Sequence, residues 1–167
     1  MEIKKLIQTF AHHGKVEWIS YRPGPTSRKP LVVADSIEVT EKQGIVGDRY
    51  RGTSRKRQVT LIQAEHINAV AGLLQKERID PALLRRNIVV SGINLLAFND
   101  AAFQIGEAIL QMTGYCHPCS QMEEALGTGG YNAMRGHGGI TCMVVKGGRI
   151  KTGDQVKPLP GFSPLLF

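Results

Sequence analysis

The sequence predicts a mainly β protein of the α+β class, in which a bent or closed β-barrel carries a few packed helices. Seven or eight short apolar segments rich in branched residues outnumber about three segments with helical spacing. Glycine turns separate the strands at irregular intervals, unlike the regular strand and helix alternation of a parallel sheet. With 167 residues, of which 42% are hydrophobic, the chain is expected to form a single domain over residues 1–167.

Each predicted strand is a short apolar or alternating segment bounded by glycine, proline or a polar turn. Gly106 and Gly114 bracket residues 107–113, which favours a strand there, although a helix is also compatible with the pattern. Gly147-Gly148 has the composition of a two-residue hairpin turn, which would pair the strands on either side of it. The predicted strands cover residues 15–21, 31–40, 58–62, 87–90, 101–105, 107–113, 140–146 and 149–156.

Two helical segments follow the predicted strand at 58–62. Apolar residues at three- and four-residue spacing predict a helix over 64–75. Asp80 before Pro81 combines a good N-cap with proline at the first helical position, which predicts a short helical turn over 82–85. Both segments are expected to pack on the barrel.

The charge balance favours anionic partners. The chain carries 21 Lys and Arg residues against 14 Asp and Glu, a net charge of +7, and five of the positive charges lie between residues 49 and 57. A solvated basic loop is the alternative interpretation. Nucleic acid is not favoured, because Tyr50 is the only aromatic residue in this run and no recognised binding motif frames it.

Cysteine usage and hydropathy indicate the setting of the protein. Three cysteines in a chain of this size, without an apolar signal segment at its start, are typical of a reducing, cytoplasmic environment. The longest apolar runs are much shorter than the ~20 residues that span a bilayer. No association with a membrane is expected.

Two cysteines in the last third of the chain are the strongest candidates for chemistry. Cys116 and Cys119 stand two residues apart, and Ser120 with Glu123 forms the S-x-x-E pattern of a capping box at the start of a helix predicted over 121–126. Cys119 is therefore expected just before a helix start, where unpaired N–H groups favour a thiolate. A thiolate can attack sulfur or bind a soft metal.

Other readings of the cysteine pair remain open. Structural zinc needs four ligands, yet Cys142 lies inside an apolar strand and the histidines lack the spacing of a zinc finger. A thioredoxin-like pair would place the first cysteine at the helix start, whereas here the second one, Cys119, adjoins it. Buried, inert thiols are the third reading. The polar neighbours of Cys119 indicate an accessible side chain, and Cys142 is assigned to the core.

Four further polar residues are candidates for binding an anion. Arg135 and His137 lie in the segment Arg-Gly-His-Gly-Gly, whose bare backbone can approach a ligand closely or supply N–H donors. Arg86 and Asn87 begin a predicted strand, where they would reach over the barrel mouth toward an anion or a metal-bound oxygen. A plain surface pair at a strand end is the alternative for Arg86 and Asn87. His66, on a predicted helix, is expected to be structural.

Several motifs occur in one sequential order between about residues 44 and 157. They are Gly47-Asp48-Arg49, Arg57-Gln58-Val59-Thr60-Leu61-Ile62, Arg86-Asn87-Ile88-Val89-Val90-Ser91-Gly92-Ile93-Asn94-Leu95, Phe103-Gln104-Ile105-Gly106, Thr113-Gly114, Pro118-Cys119, Met134-Arg135-Gly136-His137-Gly138-Gly139-Ile140 and Gly147-Gly148-Arg149-Ile150-Lys151-Thr152-Gly153-Asp154-Gln155-Val156. Together they resemble the MOSC domain, named for the C-terminal domain of molybdenum cofactor sulfurase, in its short stand-alone bacterial form. The resemblance implies a barrel-like fold and one functional cysteine, here Cys119.

The resemblance also implies roles for particular residues. In relatives that carry the molybdenum cofactor, such as the amidoxime-reducing enzymes, the matching cysteine ligates molybdenum; a persulfide-forming sulfur carrier has been proposed for the broader family. Cys119 is thus the expected metal ligand, and Cys119 with Cys116 are the expected catalytic thiols. The expected contacts to the pterin phosphate or to metal oxo groups are Arg57, Arg86, Asn87, Arg135 and His137.

Three functions follow as expectations. The first is binding of molybdenum cofactor, with two-electron reduction of an N-hydroxylated base or amine and electrons from a separate reductase, because the chain has no iron–sulfur domain. The second is a sulfur carrier that receives sulfur on Cys119 from a cysteine desulfurase, with Cys116 resolving the persulfide. The third is a non-catalytic anion-binding module. Pyridoxal phosphate is not expected, because the chain has no aminotransferase-like domain.

Overall fold

The computed structural model describes residues 2–25, 30–99 and 101–159, so the expected domain limits at residues 1 and 167 lie outside the described residues. The strands are β1 (Gly14–Tyr21), β2 (Val32–Ala34), β3 (Ser36–Thr40), β4 (Gly44–Ile45), β5 (Val59–Gln63), β6 (Ile88–Ser91), β7 (Ala102–Ile105), β8 (Ala108–Tyr115), β9 (Ile140–Lys146), β10 (Gly148–Lys151) and β11 (Gln155–Pro158). The helices are α1 (Ile3–Ile7), α2 (Ala64–Leu73), α3 (Ser120–Leu126) and α4 (Gly130–Met134), with 3-10 turns at Pro81–Leu84 and Leu95–Phe98.

Seven strands close into a barrel. They follow the order β11, β7, β8, β9, β5, β6 and β1, and pairing of Gly14 with Val156 joins β1 back to β11. Neighbouring strands are antiparallel except for β5 and β6, which run parallel. Closure leaves the seven barrel strands without a free edge. The predicted mainly β, barrel-like fold is confirmed.

A second sheet of three strands overturns the predicted hairpin. Its order is β10, β3 and β4, and Arg149 on β10 pairs with Glu38 on β3 rather than with a residue of β9. The reason lies at the predicted turn: a side chain at Gly147 would meet the Val39 carbonyl oxygen at 2.7 Å, and one at Gly148 would meet Glu107 at 2.9 Å. These glycines let the chain cross closely from the barrel to the second sheet.

Other predicted elements divide or shift in the structure. The strand expected at 31–40 is split at Asp35 into β2 and β3, which belong to different sheets, and β4 forms at residues where no strand was predicted. The strand expected at 149–156 is interrupted by a turn, in which the Asp154 carboxylate accepts from the Lys151 N–H at 2.8 Å and Gly153 has φ +91°. Helices α1 and α4 were not predicted.

Most of the remaining elements form where the sequence placed them. Residues 108–115 are strand β8, so the strand reading of this segment is confirmed over the helical one. The turn predicted after Asp80 is a 3-10 helix, and the Asp80 carboxylate accepts from the Ala82 N–H at 2.9 Å. Within the described residues, no helix is long and apolar enough to cross a membrane.

Two apolar clusters share strand β5 as their common wall. All five residues of β5 are buried, because Leu61 packs into the barrel cluster and Ile62 into a second cluster beneath the helices. In the barrel, the Phe103 ring stacks on Phe98 with centroids 4.3 Å apart. Besides Ile62, the second cluster contains Val70, Leu84, Met122 and Met134. Helices α2, α3 and α4 therefore cover one side of the barrel.

Two leucine substitutions test this assignment of the core. Leu110 on β8 is fully buried, so Leu110→Ala should lower the free energy of unfolding by about 2–5 kcal/mol through lost burial and the remaining cavity. Leu73, at the end of α2, is 62% exposed, and Leu73→Ala should change it by no more than about 0.5 kcal/mol. Urea unfolding of both variants gives the comparison, and equal losses would contradict the assigned core.

Candidate functional site

The three cysteines are free thiols in three different environments. Cys119 is exposed at the N-cap position of α3, Cys116 is 2% exposed just after β8, and Cys142 is fully buried within β9. Burial, and the nearby Cys116 thiol to a lesser degree, raises the pKa of Cys142 well above its usual range. The predictions that Cys119 is accessible and that Cys142 belongs to the core are confirmed.

The start of α3 differs from the predicted capping box. Cys119 is the N-cap residue, and its carbonyl oxygen accepts from the Met122 N–H at 2.9 Å without any side-chain cap. The Glu123 carboxylate instead accepts from the N–H groups of Tyr131 and Gly129, each at 2.8 Å, and these bonds lower the pKa of Glu123. The capping box is wrong because Glu123 bonds forward to the start of α4.

Arg86 fixes the loop that carries Cys116 and Cys119, the cysteine loop, through buried hydrogen bonds. The residue is 7% exposed, and its guanidinium donates to the carbonyl oxygens of Gly138 at 2.7 Å, Leu84 at 2.8 Å and Cys116 at 3.5 Å. Burial lowers the pKa of Arg86, and the neighbouring Cys116 thiol opposes that shift. The side chain predicted to reach a ligand thus bonds to three protein carbonyls.

Asn87 is similarly placed in the barrel wall. Its side-chain oxygen accepts from the Thr60 N–H at 2.9 Å and from the Thr60 hydroxyl at 3.0 Å, while Nδ2 donates to the Ser20 carbonyl oxygen at 3.3 Å. The residue is 4% exposed. These bonds join β1, β5 and β6 and leave one Nδ2 hydrogen for another acceptor.

The glycine segment packs against protein backbone over part of its length. A side chain at Gly138 would collide with the Cys116 carbonyl oxygen, and one at Gly139 would collide with the Leu61 carbonyl oxygen. Gly136 has φ +80°, and a Cβ placed on it would meet no described atom within 4 Å, so its backbone faces open space. The glycine segment was expected to bring its backbone close to a ligand. It instead lies mostly against the protein's own backbone.

His137 and His66 form an edge-to-face pair. Their ring centroids are 5.2 Å apart, and His137 Nδ1 lies 3.0 Å from the Ala133 carbonyl oxygen. A carbonyl oxygen only accepts, so the neutral His137 ring carries its proton on Nδ1 and has Nε2 available as an acceptor. His66 Nδ1 is buried without a hydrogen-bond partner among the described residues. Arg135, which ends α4, is exposed.

The basic run at 49–57 divides into two kinds of side chain. Arg51 Nη1 donates to the carbonyl oxygens of Asp48 and Tyr50, both at 2.8 Å, and Arg55 Nη2 donates to Val144 at 2.6 Å. Arg51 thus bonds within the loop, and Arg55 joins the loop to β9 of the barrel. Arg57 is exposed, and its Nη2 lies 3.7 Å from the Cys116 sulfur.

Arg85 and Gln121 belong to the site but were not identified from the sequence. Arg85 Nη1 donates to Gln121 Oε1 at 2.7 Å, and the Cys119 sulfur lies 3.8 Å from the same oxygen. Arg85 also has φ +60°, an uncommon conformation for a residue with a side chain. The sequence offered only its position directly before Arg86, because the φ of Arg85 and its contact with Gln121 are visible only in the structure.

A cleft of about 250 Å³ lies beside the cysteine loop. Its lining consists of Leu96, Tyr115, Cys116, His117, Pro118, Gly136, Gly138 and Gly139. Among the described residues, no group of three or more His, Cys, Asp or Glu side chains is arranged to hold a metal ion. A metal bound here would therefore depend mainly on ligand atoms from outside the protein.

Comparison with known proteins agrees with this architecture. The family model of the MOSC domain matches residues 26–157. The YuaD protein from Bacillus subtilis shares 22% identity, with a TM-score of 0.73 over 87% of this chain and 94% of that one. YiiM from Escherichia coli shares 19% identity, with a TM-score of 0.64 over 87% of this chain and 69% of that one. These likenesses establish the fold; no curated protein sequence gives a significant match.

The histidine pair predicts a pH dependence of stability. Burial lowers the pKa of His66 below its ordinary 6.5, His137 lowers it further and Glu65 raises it. As the pH falls, His66 is protonated in the unfolded chain before it is protonated in the folded one. The contribution of His66 to the free energy of unfolding should therefore be fully present above pH 6.5 and be lost as the pH drops below that value. Urea midpoints measured between about pH 7.5 and pH 5.5 check this.

His66→Gln should flatten the pH dependence, whereas His12→Gln, at an exposed position near the start of the chain, should leave it unchanged. A wild-type midpoint that is constant or rises on acidification would contradict the assigned environment of His66.

Proposed function

This chain belongs to the MOSC domain family, and on that premise we propose that it binds the molybdenum cofactor, or a related metal–sulfur species, through Cys119. The observation that carries the proposal is an exposed thiol with two arginine side chains near it. Gln121 links Cys119 to Arg85, and Arg57 approaches the adjacent Cys116 sulfur at 3.7 Å. A soft ligand and anion-binding groups therefore lie in one place.

The donor set fits this cofactor better than it fits a metal held by protein alone. One accessible thiol, without a surrounding group of His, Cys, Asp and Glu ligands in the described residues, suits a metal that brings its other ligands with it. Arg57 and Arg85 would bind the anionic parts of the cofactor, while Arg135 and His137 would approach from the glycine segment. Arg86 would act by positioning, because it fixes both loops.

When bound, the cofactor would supply two-electron redox chemistry at molybdenum, of the kind that reduces N-hydroxylated bases or amines with electrons from a separate reductase. The protein's own contribution would be to bind and orient. His137 would hold or release a proton at Nε2, since Nδ1 is engaged with Ala133. Gly136 would leave room beside the cleft for a substrate, because no described protein atom fills that space.

Metal analysis tests the proposal directly. Protein isolated gently from a host that makes the cofactor should contain about one molybdenum per chain, and Cys119→Ala should lose most of it with the thiolate ligand. Cys142→Ala is the matched control, because that thiol is buried in β9 and should not affect the metal content. Wild type without molybdenum, or Cys119→Ala with wild-type content, would refute the assigned ligand.

A sulfur carrier is the second candidate, favoured by the exposure of Cys119 at the start of α3. The Cys119 thiolate would attack the outer sulfur of a desulfurase persulfide, forming a new S–S bond while the desulfurase cysteine leaves as a thiolate. The transfer needs no external oxidant, because the S–S bond formed replaces the one broken. Cys116, 2% exposed, would need the loop to open before it could resolve the persulfide.

Mass spectrometry separates this candidate from the first. Incubation with a cysteine desulfurase and cysteine should add about one sulfur atom to wild type and none to Cys119→Ala. Cys116→Ala should keep that sulfur longer than wild type if Cys116 resolves the persulfide. An unmodified wild-type thiol under these conditions would rule out the carrier.

A further inference from the structure

Residues 42–57 carry a dense group of positive charges. Six of them are Lys or Arg, whereas Asp48 is the only acidic residue in the stretch. Asp48 is buried, and its carboxylate accepts from two backbone N–H groups. Glu41, directly before the stretch, accepts from the Gly147 N–H at 3.1 Å. Within the described residues, the one ion pair shorter than 4.0 Å lies elsewhere, in the second sheet. The six positive side chains are therefore not paired with a carboxylate at that distance.

Three of these side chains form an exposed surface that ends beside the cysteine loop. Lys42, Arg51 and Lys56 are all exposed, and we call them the basic surface. Lys42 and Arg51 line one cleft of about 290 Å³. Arg57 follows Lys56 directly, and its Nη2 lies 3.7 Å from the Cys116 sulfur. Anything that covers the basic surface therefore comes close to the cysteines.

The backbone of this stretch is fixed on the barrel. Arg55 Nη2 donates to the Val144 carbonyl oxygen at 2.6 Å, and the Thr113 hydroxyl donates to the Lys56 carbonyl oxygen. Val144 belongs to β9, and Thr113 lies near the end of β8, just before the cysteine loop. These bonds keep the exposed charges at a constant position relative to that loop.

The basic surface suits a large partner better than a small ligand. Arg51 Nη1 is already engaged with two carbonyl oxygens of its own loop, and the ammonium groups of Lys42 and Lys56 are flexible point charges. Small ligands are bound in concave sites by a few polar groups that converge on them. Exposed charges spread along a loop instead attract an extended surface of opposite charge. The expected partner is therefore an acidic macromolecular surface.

A protein suits this surface better than nucleic acid does. Single strands are bound where aromatic side chains stack on the bases beside basic groups. Tyr50, which is half-buried, is the only aromatic residue between positions 42 and 57. The same residues form no helix that could enter a groove of a duplex. The acidic surface is accordingly assigned to a protein.

We propose that the basic surface docks an acidic electron-donor protein and so brings its redox group to the site at Cys119. This deepens the proposed function, on which it rests, because reduction there needs electrons from a separate protein. The partner would be oxidised by two electrons, and the N-hydroxylated substrate would take them up with two protons and release water. Electron-transfer complexes are small and weak, so a few exposed charges are enough to steer and orient one.

An electron donor fits the position of the surface better than a sulfur donor does. Sulfur transfer needs the donor sulfur in bonding contact with Cys119, whereas electrons can cross a gap. The basic surface flanks the thiol at a distance, because it ends at Arg57 beside Cys116 while the Cys119 sulfur faces Gln121 at 3.8 Å. Docking on this flank leaves Cys119 free to hold a cofactor.

Binding of flavodoxin, a small acidic electron carrier that contains FMN, tests the proposal by calorimetry. Wild type should bind it saturably at low salt. The affinity should fall about tenfold or more between about 0.01 M and about 0.15 M salt, as the Debye length shrinks from about 30 Å to about 8 Å. At low salt, Lys42→Glu and Lys56→Glu should each weaken binding about fivefold or more, because a charge at the interface is reversed. Both side chains are exposed, so folding is not at risk.

Lys151→Glu is the matched control, with the same change of charge near the other end of β8. Lys151 is exposed and lines a cleft together with Glu107, which precedes β8, whereas Cys116 follows that strand. This variant should bind flavodoxin within about twofold of wild type. An equal loss in Lys151→Glu would show attraction to the net charge alone and overturn the docking surface. So would the absence of saturable binding to wild type at low salt.

Alkylation of Cys119 by iodoacetamide shows where the carrier binds. The reagent is uncharged, and Cys116 and Cys142 are buried, so mass spectrometry should find the modification on Cys119. Saturating flavodoxin should slow the reaction of wild type about threefold or more, because the bound fraction is shielded. Lys56→Glu should lose this protection at the same flavodoxin concentration. Binding that leaves the rate unchanged would place the carrier elsewhere and overturn the proposal.

Three further measurements separate the explanations. Tighter binding of a cysteine desulfurase than of flavodoxin, with the same dependence on Lys56, would assign the surface to a sulfur donor and overturn the proposal. Tighter binding of a short oligonucleotide would overturn it in favour of nucleic acid. Cys119→Ala, which should lose molybdenum, should bind flavodoxin as wild type does. The docking surface can thus fail while molybdenum binding holds, and the reverse.

Discussion

The buried guanidinium of Arg86 is the contact on which the arrangement around Cys119 depends. It reaches the carbonyl oxygens of Gly138, Leu84 and Cys116, which belong to the glycine segment, the 3-10 turn at Pro81–Leu84 and the loop after β8. Removing one partner of such a group leaves buried carbonyls unpaired, which costs more than the bond itself contributes. The charge is compensated by carbonyl dipoles instead of a carboxylate, so it still adds to the positive potential near the cysteines.

The glycine segment makes that contact sterically feasible. Gly138 and Gly139 bring their backbone against Cys116 and Leu61 so closely that neither position admits a side chain. The start of β9 is thereby drawn between the end of β8 and strand β5, with the Cys116 N–H donating to Gly139 at 2.8 Å. The close packing of Gly138 and Gly139 on this backbone and the exposure of Cys119, three residues after Cys116, therefore follow from the same backbone path.

Local patterns were enough to predict the fold class and the accessible thiol, but not the features that depend on distant pairing. Gly106 and Gly114 marked β8, and polar neighbours marked Cys119 as exposed. The hairpin failed at Gly147-Gly148 because the packing partners, Val39 and Glu107, are remote in sequence. The contact of Arg85 with Gln121 was not predicted for the same reason, because the two residues lie 36 positions apart in the chain.

Closure of the barrel has a consequence for how this protein is made. The ring is completed by contacts between β1, near the start of the chain, and β11, near its end. Loop-closure entropy makes such distant contacts slow to form. During synthesis on a ribosome, β1 and β7 must each wait with an unpaired flank until residues 155–158 emerge, and nascent chains stalled before that point would expose edges to which chaperones can bind.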